Sequence, residues 1–425
     1  MNYILANEAR INKAGLRGGV FTISDMVRWT TTLFLFSLVC YGPYRYFIAK
    51  LGLAELAYLP KILLLIAAIF VMIYFGRVNK ILIVVGTVVA FYAAWGMVNL
   101  PSSYQPLFGV WVIIPLLYGL LSAQYFFNDP NPYKRIFIIL FIIALSGVVI
   151  NAFVQFPWVG SSFRIGGEQI EISRRWWALG ISRIGGFSGA SFDVAIQLLL
   201  LSICLMFFIN SGVIKILLWI ASGVGIAVTT TKGVFGAYLI ITTFFITGKL
   251  SGYKLLWRQF LVAIFFINFM LLVFLPLSTI FIRYDPSFDG YYDRFIFESF
   301  GDRLNYTWPA SFSLLHHGVE WLFGRGIGGI GTPQTYFEPT NALPADNLYV
   351  YLAVDFGPLF AAVMLLIVCV NTAWFFLRTN DSSLIFLILA FVISYGMVSN
   401  IIEAPMLSLF FGMVIGRSFQ MGRET

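Results

Sequence analysis

The sequence predicts an all-α polytopic membrane protein of about twelve transmembrane helices, and three observations predict it. Hydrophobic residues make up 60% of the 425 positions, and the mean hydropathy is +0.87. Charged residues are only 11%, where a soluble domain carries about 25%. Apolar runs of spanning length, about 20 residues, recur along the chain. A water-soluble fold of this size has no core that could hide so much apolar surface. The composition therefore excludes a soluble enzyme, a disordered chain, a collagen-like fibre and a disulfide scaffold. Helices follow because, in lipid, each backbone polar group must be satisfied within its own segment.

Taken in order, residues 1–27 carry Arg10, Lys13 and Arg17 without a short apolar core, and read as a cytoplasmic tail rather than a cleaved signal. Apolar segments are expected near 29–48, 56–75, 81–99, 106–127, 136–156, 190–209, 213–229, 233–248, 259–281, 357–377, 383–402 and 404–418. With the N-terminus inside, 15 of the 27 Lys and Arg fall on the cytoplasmic side. The short outer loops hold only Arg45, Lys50, Lys61 and Lys232, so the positive-inside rule places both termini in the cytoplasm. The net charge of +8 belongs to that asymmetry, and no nucleic-acid partner is expected. Cys40, Cys204 and Cys369 each lie in a separate apolar run, with neither a disulfide framework nor zinc spacing. Residues 1–425 read as a single integral membrane domain.

Two outer loops, 157–189 and 282–346, are too long to be plain connectors. Both are rich in Trp, Tyr, Phe and Arg, a composition that argues against disorder. Within the second, 311–323 reads as an amphipathic helix closed by Gly324. A glycine-rich turn follows at 324–333, and a further helix is expected over 347–356.

All eight basic residues of these loops are arginine: Arg164, Arg174, Arg175, Arg183, Arg283, Arg294, Arg303 and Arg325. A guanidinium offers a planar fork of donors that grips phosphate oxygens in pairs and keeps its charge when partly buried. The same loops carry ten acids, so structural pairing is the competing explanation. Arg183 precedes Gly185, Gly186 and Gly189, which would let backbone approach a bound group closely. Asp193, at the start of the next apolar segment, is a functional candidate by its depth, or else the partner of a nearby arginine. His316 and His317 are the only histidines, and with Glu320 they do not supply a metal-ligand set, so no metal and no cofactor is expected. Asp346 has two readings: an N-cap for the helix that follows, or a carboxylate that activates a hydroxyl.

Four stretches resemble the O-antigen polymerase and O-antigen ligase superfamily of bacterial membrane glycosyltransferases. They are RIGGFSGASFDVAIQLLL (183–200), TTTKGVFGAYL (229–239), DRLNYTWPASFSLLHHGVEWLFGRGIGGIG (302–331) and PADNLYVYLAVDFGPL (344–359). Their order and spacing agree over roughly 160–420. Where many ligases have His before Asn, this chain has Asp346 before Asn347, which favours the polymerase branch. The resemblance implies a GT-C-like fold in the inner membrane, with both loops periplasmic. It implies a donor glycan on undecaprenyl pyrophosphate, an acceptor that is a new lipid-linked repeat unit, and a chain-length regulator as protein partner. Arg183 and Arg303 would hold the pyrophosphate, with Arg174, Arg175, Arg325 and Lys232 as further candidates. Asn347, His316 and His317 complete the candidate substrate-binding set, and Asp346 would orient or deprotonate the acceptor hydroxyl. The alternatives are a ligase acting on lipid A core or protein, and a lipid-linked oligosaccharide flippase.

Overall fold

The computed structural model describes residues 22–74, 80–165, 168–178, 180–251, 255–284, 290–316, 318–379 and 383–421. The tail with Arg10, Lys13 and Arg17, the loop acids Asp285 and Asp289, and His317 lie outside the described residues.

The molecule is helical almost throughout. In chain order the helices are α1 (Ile23–Val39), α2 (Tyr41–Lys50), α3 (Leu59–Tyr74), α4 (Lys80–Asn99), α5 (Tyr104–Asn128) and α6 (Asn131–Phe153). After two small hairpins come α7 (Ser191–Phe208), α8 (Gly212–Val228), α9 (Lys232–Ser251) and α10 (Leu255–Ser278). The second loop contributes α11 (Tyr291–Asp302), a π turn (Arg303–Thr307), α12 (Trp308–Ser313), α13 (Gly318–Phe323) and α14 (Thr332–Phe337). The chain closes with α15 (Leu348–Phe356), α16 (Pro358–Arg378), α17 (Ser383–Gly396) and α18 (Pro405–Met421). The hairpins pair β1 (Ser162–Ile165) with β2 (Glu168–Glu171), and β3 (Trp177–Ala178) with β4 (Ile181–Ser182), both antiparallel.

Each of the twelve expected apolar segments falls on helix. By length and composition, six helices among the described residues suffice to cross a membrane, or seven if α1 and α2 count as one bent span. That is the build of a polytopic membrane protein. At the centre stands α17, buried along its whole length, with α7 buried over most of its own. A helix that is apolar all round needs such a setting. The outer helices turn large apolar side chains such as Phe70, Phe153, Leu256 and Phe274 outward, as a lipid-facing belt requires.

Three local features depart from the sequence reading. The first apolar segment is broken, with α1 and α2 meeting at 85°. Pro43 lacks the amide a continuing helix needs, and the Gly42 amide donates instead to the Phe187 carbonyl of the first loop at 2.7 Å. The expected amphipathic helix 311–323 is described as two short helices, α12 and α13, with residues 314–316 outside helix. The eleventh helix of the sequence reading stops at Gly396, and the chain reaches α18 through a turn.

The closest helix crossing joins α5 to α18. A Cβ added at Gly119 would overlap the Leu409 carbonyl oxygen, and one at Gly412 would overlap that of Leu116. Small residues at such crossings let backbones approach and gain dispersion contacts where lipid offers no hydrophobic driving force.

Candidate functional site

The first loop is built to hold Arg183. Gly186 has φ +59°, and a Cβ there would lie 3.1 Å from the Gly147 backbone of α6. Its amide donates to Asn151 Oδ1 at 3.1 Å, and its carbonyl accepts from the Trp158 indole at 3.3 Å. Phe187 stacks on Phe156, which stacks on Trp158 with centroids 4.5 Å apart. The glycines thus seat the turn against α2 and α6. Arg183 is fixed further by its amide, which donates to the Trp176 carbonyl at 2.9 Å, and by its guanidinium 5.6 Å from the Trp176 ring.

The second loop brings in Arg303 on the π turn after α11. Such turns widen the helix locally and recur at functional sites. Arg303 donates to the Ser299 carbonyl at 2.8 Å and forms an ion pair with Asp346 at 3.2 Å. Lys232 opens α9, where Gly233 lets the helix lie against Tyr395 and Val398. Arg183 and Lys232 are within electrostatic reach of each other and of Arg303. Tyr395 is within reach of Arg183, Arg303 and Asp346. Burial, and then the Arg303 charge, lower the Arg183 pKa below the usual guanidinium value.

Three cations from three separate stretches therefore gather where the two long loops meet, with Asp346 paired to Arg303 and Glu298 within reach of Lys232. The Nε atoms of Arg183 and Arg303 are buried and have no hydrogen-bond partner among the described residues. Buried donors are normally satisfied, so these two are free for an acceptor. Surplus positive charge with unused guanidinium donors suits phosphate oxygens, and the adjacent carboxylate suits a proton acceptor.

Asp346 belongs to this site, and the remaining sequence candidates fall elsewhere. Asp346 does not cap α15. Its φ is +49°, and the cap is Asn347, whose Oδ1 accepts from the Val350 amide at 3.0 Å. The Asn347 amide nitrogen donates to the carbonyls of Met397 and Leu272, at 3.1 and 3.4 Å, so this side chain ties α15 to its neighbours. Arg325 is held in a buried ion pair with Glu338 at 2.9 Å and donates to the Gly329 carbonyl at 2.6 Å. The glycine-rich turn around it is buried, and the Gly328 and Gly329 amides donate to Asp355 at 3.3 and 2.9 Å. Arg175 is exposed over the Trp177 ring. His316 is exposed, with its backbone amide donating to Glu320 at 2.6 Å. Arg174 is within reach of Asp193 and Glu403, and its guanidinium, like that of Arg183, lies near the Trp176 ring.

Sequence reasoning missed Tyr395, Lys61 and Glu403 as members of this region. The signals were present in part: Lys61 is a charge in an apolar run, and Glu403 is the only acid between Asp381 and Glu424. Nothing marked Tyr395. Among the described residues, no group of three or more His, Cys, Asp and Glu is arranged to hold a metal ion. Comparison with protein-family models, with curated proteins and with solved structures found no match.

Proposed function

We propose that this chain is a polysaccharide polymerase of the bacterial inner membrane, joining undecaprenyl-pyrophosphate-linked repeat units at the periplasmic face. One observation carries the reading: Arg183, Lys232 and Arg303 gather where the two long loops meet, and Arg303 pairs there with Asp346. The motif resemblance supports it, and so does the Asp in place of the ligase histidine. The reading takes the fold as GT-C-like with twelve spans, counting the bent pair, the shorter apolar helices and α18 with the long ones.

The chemistry follows from the charges. The acceptor hydroxyl attacks the anomeric carbon of the donor's first sugar, and the bond from that carbon to the pyrophosphate oxygen breaks. Asp346 takes the hydroxyl proton. The electron pair leaves on undecaprenyl pyrophosphate, whose growing negative charge Arg183, Arg303 and Lys232 stabilise. A pyrophosphate reaching Arg303 competes with Asp346 for the guanidinium, so donor binding frees the base.

The test is the lipid-linked glycan pool of a deletion strain. Loss of a polymerase leaves single repeats on carrier or core. Loss of a ligase leaves long chains on the carrier. Arg303→Lys keeps the charge and loses the paired fork, so complementation with it yields short chains. The transport reading retains one observation, Lys61 and Asp193 on membrane-length helices. Single repeats confined to the inner leaflet after deletion decide for transport and against polymerisation.

A further inference from the structure

A second cluster lies beside the arginine site, and the polymerase chemistry above does not use it. Lys61 and Asp193 sit on helices long and apolar enough to cross a membrane. Ionisable groups there are costly and mark function by default. Lys61 and Arg174 are both within electrostatic reach of Glu403, and Arg174 of Asp193, yet none of these groups forms an ion pair among the described residues. Arg325 and Glu338, by contrast, close to direct contact at 2.9 Å. Here the charges are held apart.

Aromatic rings stand among these charges. The Lys61 ammonium is 5.0 Å from the Trp111 ring, and Tyr58 meets Trp111 edge-on with centroids 6.1 Å apart. Arg45 lies 4.1 Å over Tyr41 and 6.0 Å from Tyr58. Tyr336 is within reach of Tyr41 and Tyr58. The cluster is also tied in place. The Arg174 amide donates to the Gly189 carbonyl at 2.9 Å, and Glu403 accepts from the Thr332 amide at 2.6 Å, one turn before Tyr336.

We propose that Tyr58, Trp111 and Tyr336, with Lys61, Asp193 and Glu403, form a subsite for the sugar rings of the acceptor glycan. Aromatic faces pack on the C–H faces of a pyranose, while separated cations and carboxylates serve its hydroxyls, which both donate and accept. The ring lining separates the cluster from the arginine site, where buried guanidinium Nε donors lie unused. Trp176 bridges the two, with Arg174 at 5.7 Å and Arg183 at 5.6 Å from its ring. Tyr395 is within reach of Asp193 on one side and Asp346 on the other. A glycan lying in the cluster points its end at Asp346. The assignment rests on the polymerase reading for the identity of the glycan.

The test uses the full chain, reconstituted in nanodiscs and expressed in a deletion strain at matched membrane levels. The probes are bare undecaprenyl pyrophosphate for carrier binding and the strain's own lipid-linked repeats for chain extension. Trp111→Ala and Tyr58→Ala each reduce extension by about tenfold, the effect of losing one well-packed aromatic contact, and leave binding of the bare carrier at the wild-type level. Trp111→Phe, which keeps a ring, recovers most of the extension. Arg183→Lys gives the converse, weakened carrier binding. Wild-type extension by both alanine variants, or loss of carrier binding along with extension, overturns the subsite alone. A wild-type protein that does not bind bare carrier, with an unchanged glycan pool after deletion, overturns the polymerase reading and the subsite with it.

Discussion

Asp346 has a left-handed backbone, φ +49°, that Asn and Asp tolerate better than other side-chain-bearing residues. The capping work belongs to Asn347, so Asp346→Asn disturbs neither the cap nor the turn. It does remove the charge facing Arg303, in a part-exposed pair worth no more than about 1 kcal/mol. The variant should therefore fold and reach the membrane at wild-type levels. If Asp346 takes the acceptor proton, chain extension should fall by about 10²–10⁴-fold. Wild-type chain length on the carrier would end the base assignment. Arg325 predicts the opposite pattern. Removing either Arg325 or Glu338 leaves a buried charge unpaired, at a cost of about 3–5 kcal/mol. Arg325→Ala and Glu338→Ala should both lower the thermal midpoint in detergent and the amount of protein in the membrane. Normal stability with lost carrier binding would instead make Arg325 a ligand-binding residue.

Among the elements, the α5–α18 crossing and the glycine-rich turn are the most exacting. Gly412 packs on the Leu116 carbonyl with no room for a methyl. Gly412→Ala must push two backbones apart, and overpacking of this kind costs about 1–3 kcal/mol. The expected result is a lower thermal midpoint, while Gly212→Ala, where an added Cβ meets nothing within 4 Å, serves as the control. The turn 324–331 depends on Asp355, a carboxyl that burial pushes well above the usual range. Asp355→Asn keeps an acceptor oxygen for the Gly329 amide and loses only the longer bond from Gly328, so it should cost less than alanine. Asp355→Ala leaves both donors buried and unsatisfied, at about 1–3 kcal/mol each. Equal stability of the two variants, by thermal melts, would remove this account of the turn.

At the scale of the whole molecule, Arg183 and Arg303 are neighbours although 120 residues separate them in the chain. The first and second long loops must therefore open on one face. Ser162 and Thr335 are exposed members of the two loops, whereas Cys204 and Cys369 are buried. In a Cys40→Ser background, Ser162→Cys and Thr335→Cys should both react with an impermeant thiol reagent added to intact spheroplasts. Labelling of only one contradicts the shared face, and labelling of neither before lysis places that face in the cytoplasm.

The sequence by itself determined the helices, because apolar length and the need to satisfy backbone groups in lipid are local properties. Each of the twelve apolar segments falls largely on helix for that reason, and the helix after Asn347 ends at Gly357 as its residues foretell. Arg183, Arg303 and Asp346 stood out by residue type, since a guanidinium or a carboxylate advertises its chemistry wherever it lies. Only the tertiary structure decided which of them meet. It put Arg325 into a buried pair and gave the cap to Asn347. It closed the glycine-rich turn on Asp355, and from segments remote in sequence it brought Tyr395 to the arginine site and Lys61 and Glu403 together in the cluster beside it. Those outcomes depend on contacts between distant segments, and the pattern of a single segment carries no record of its partner.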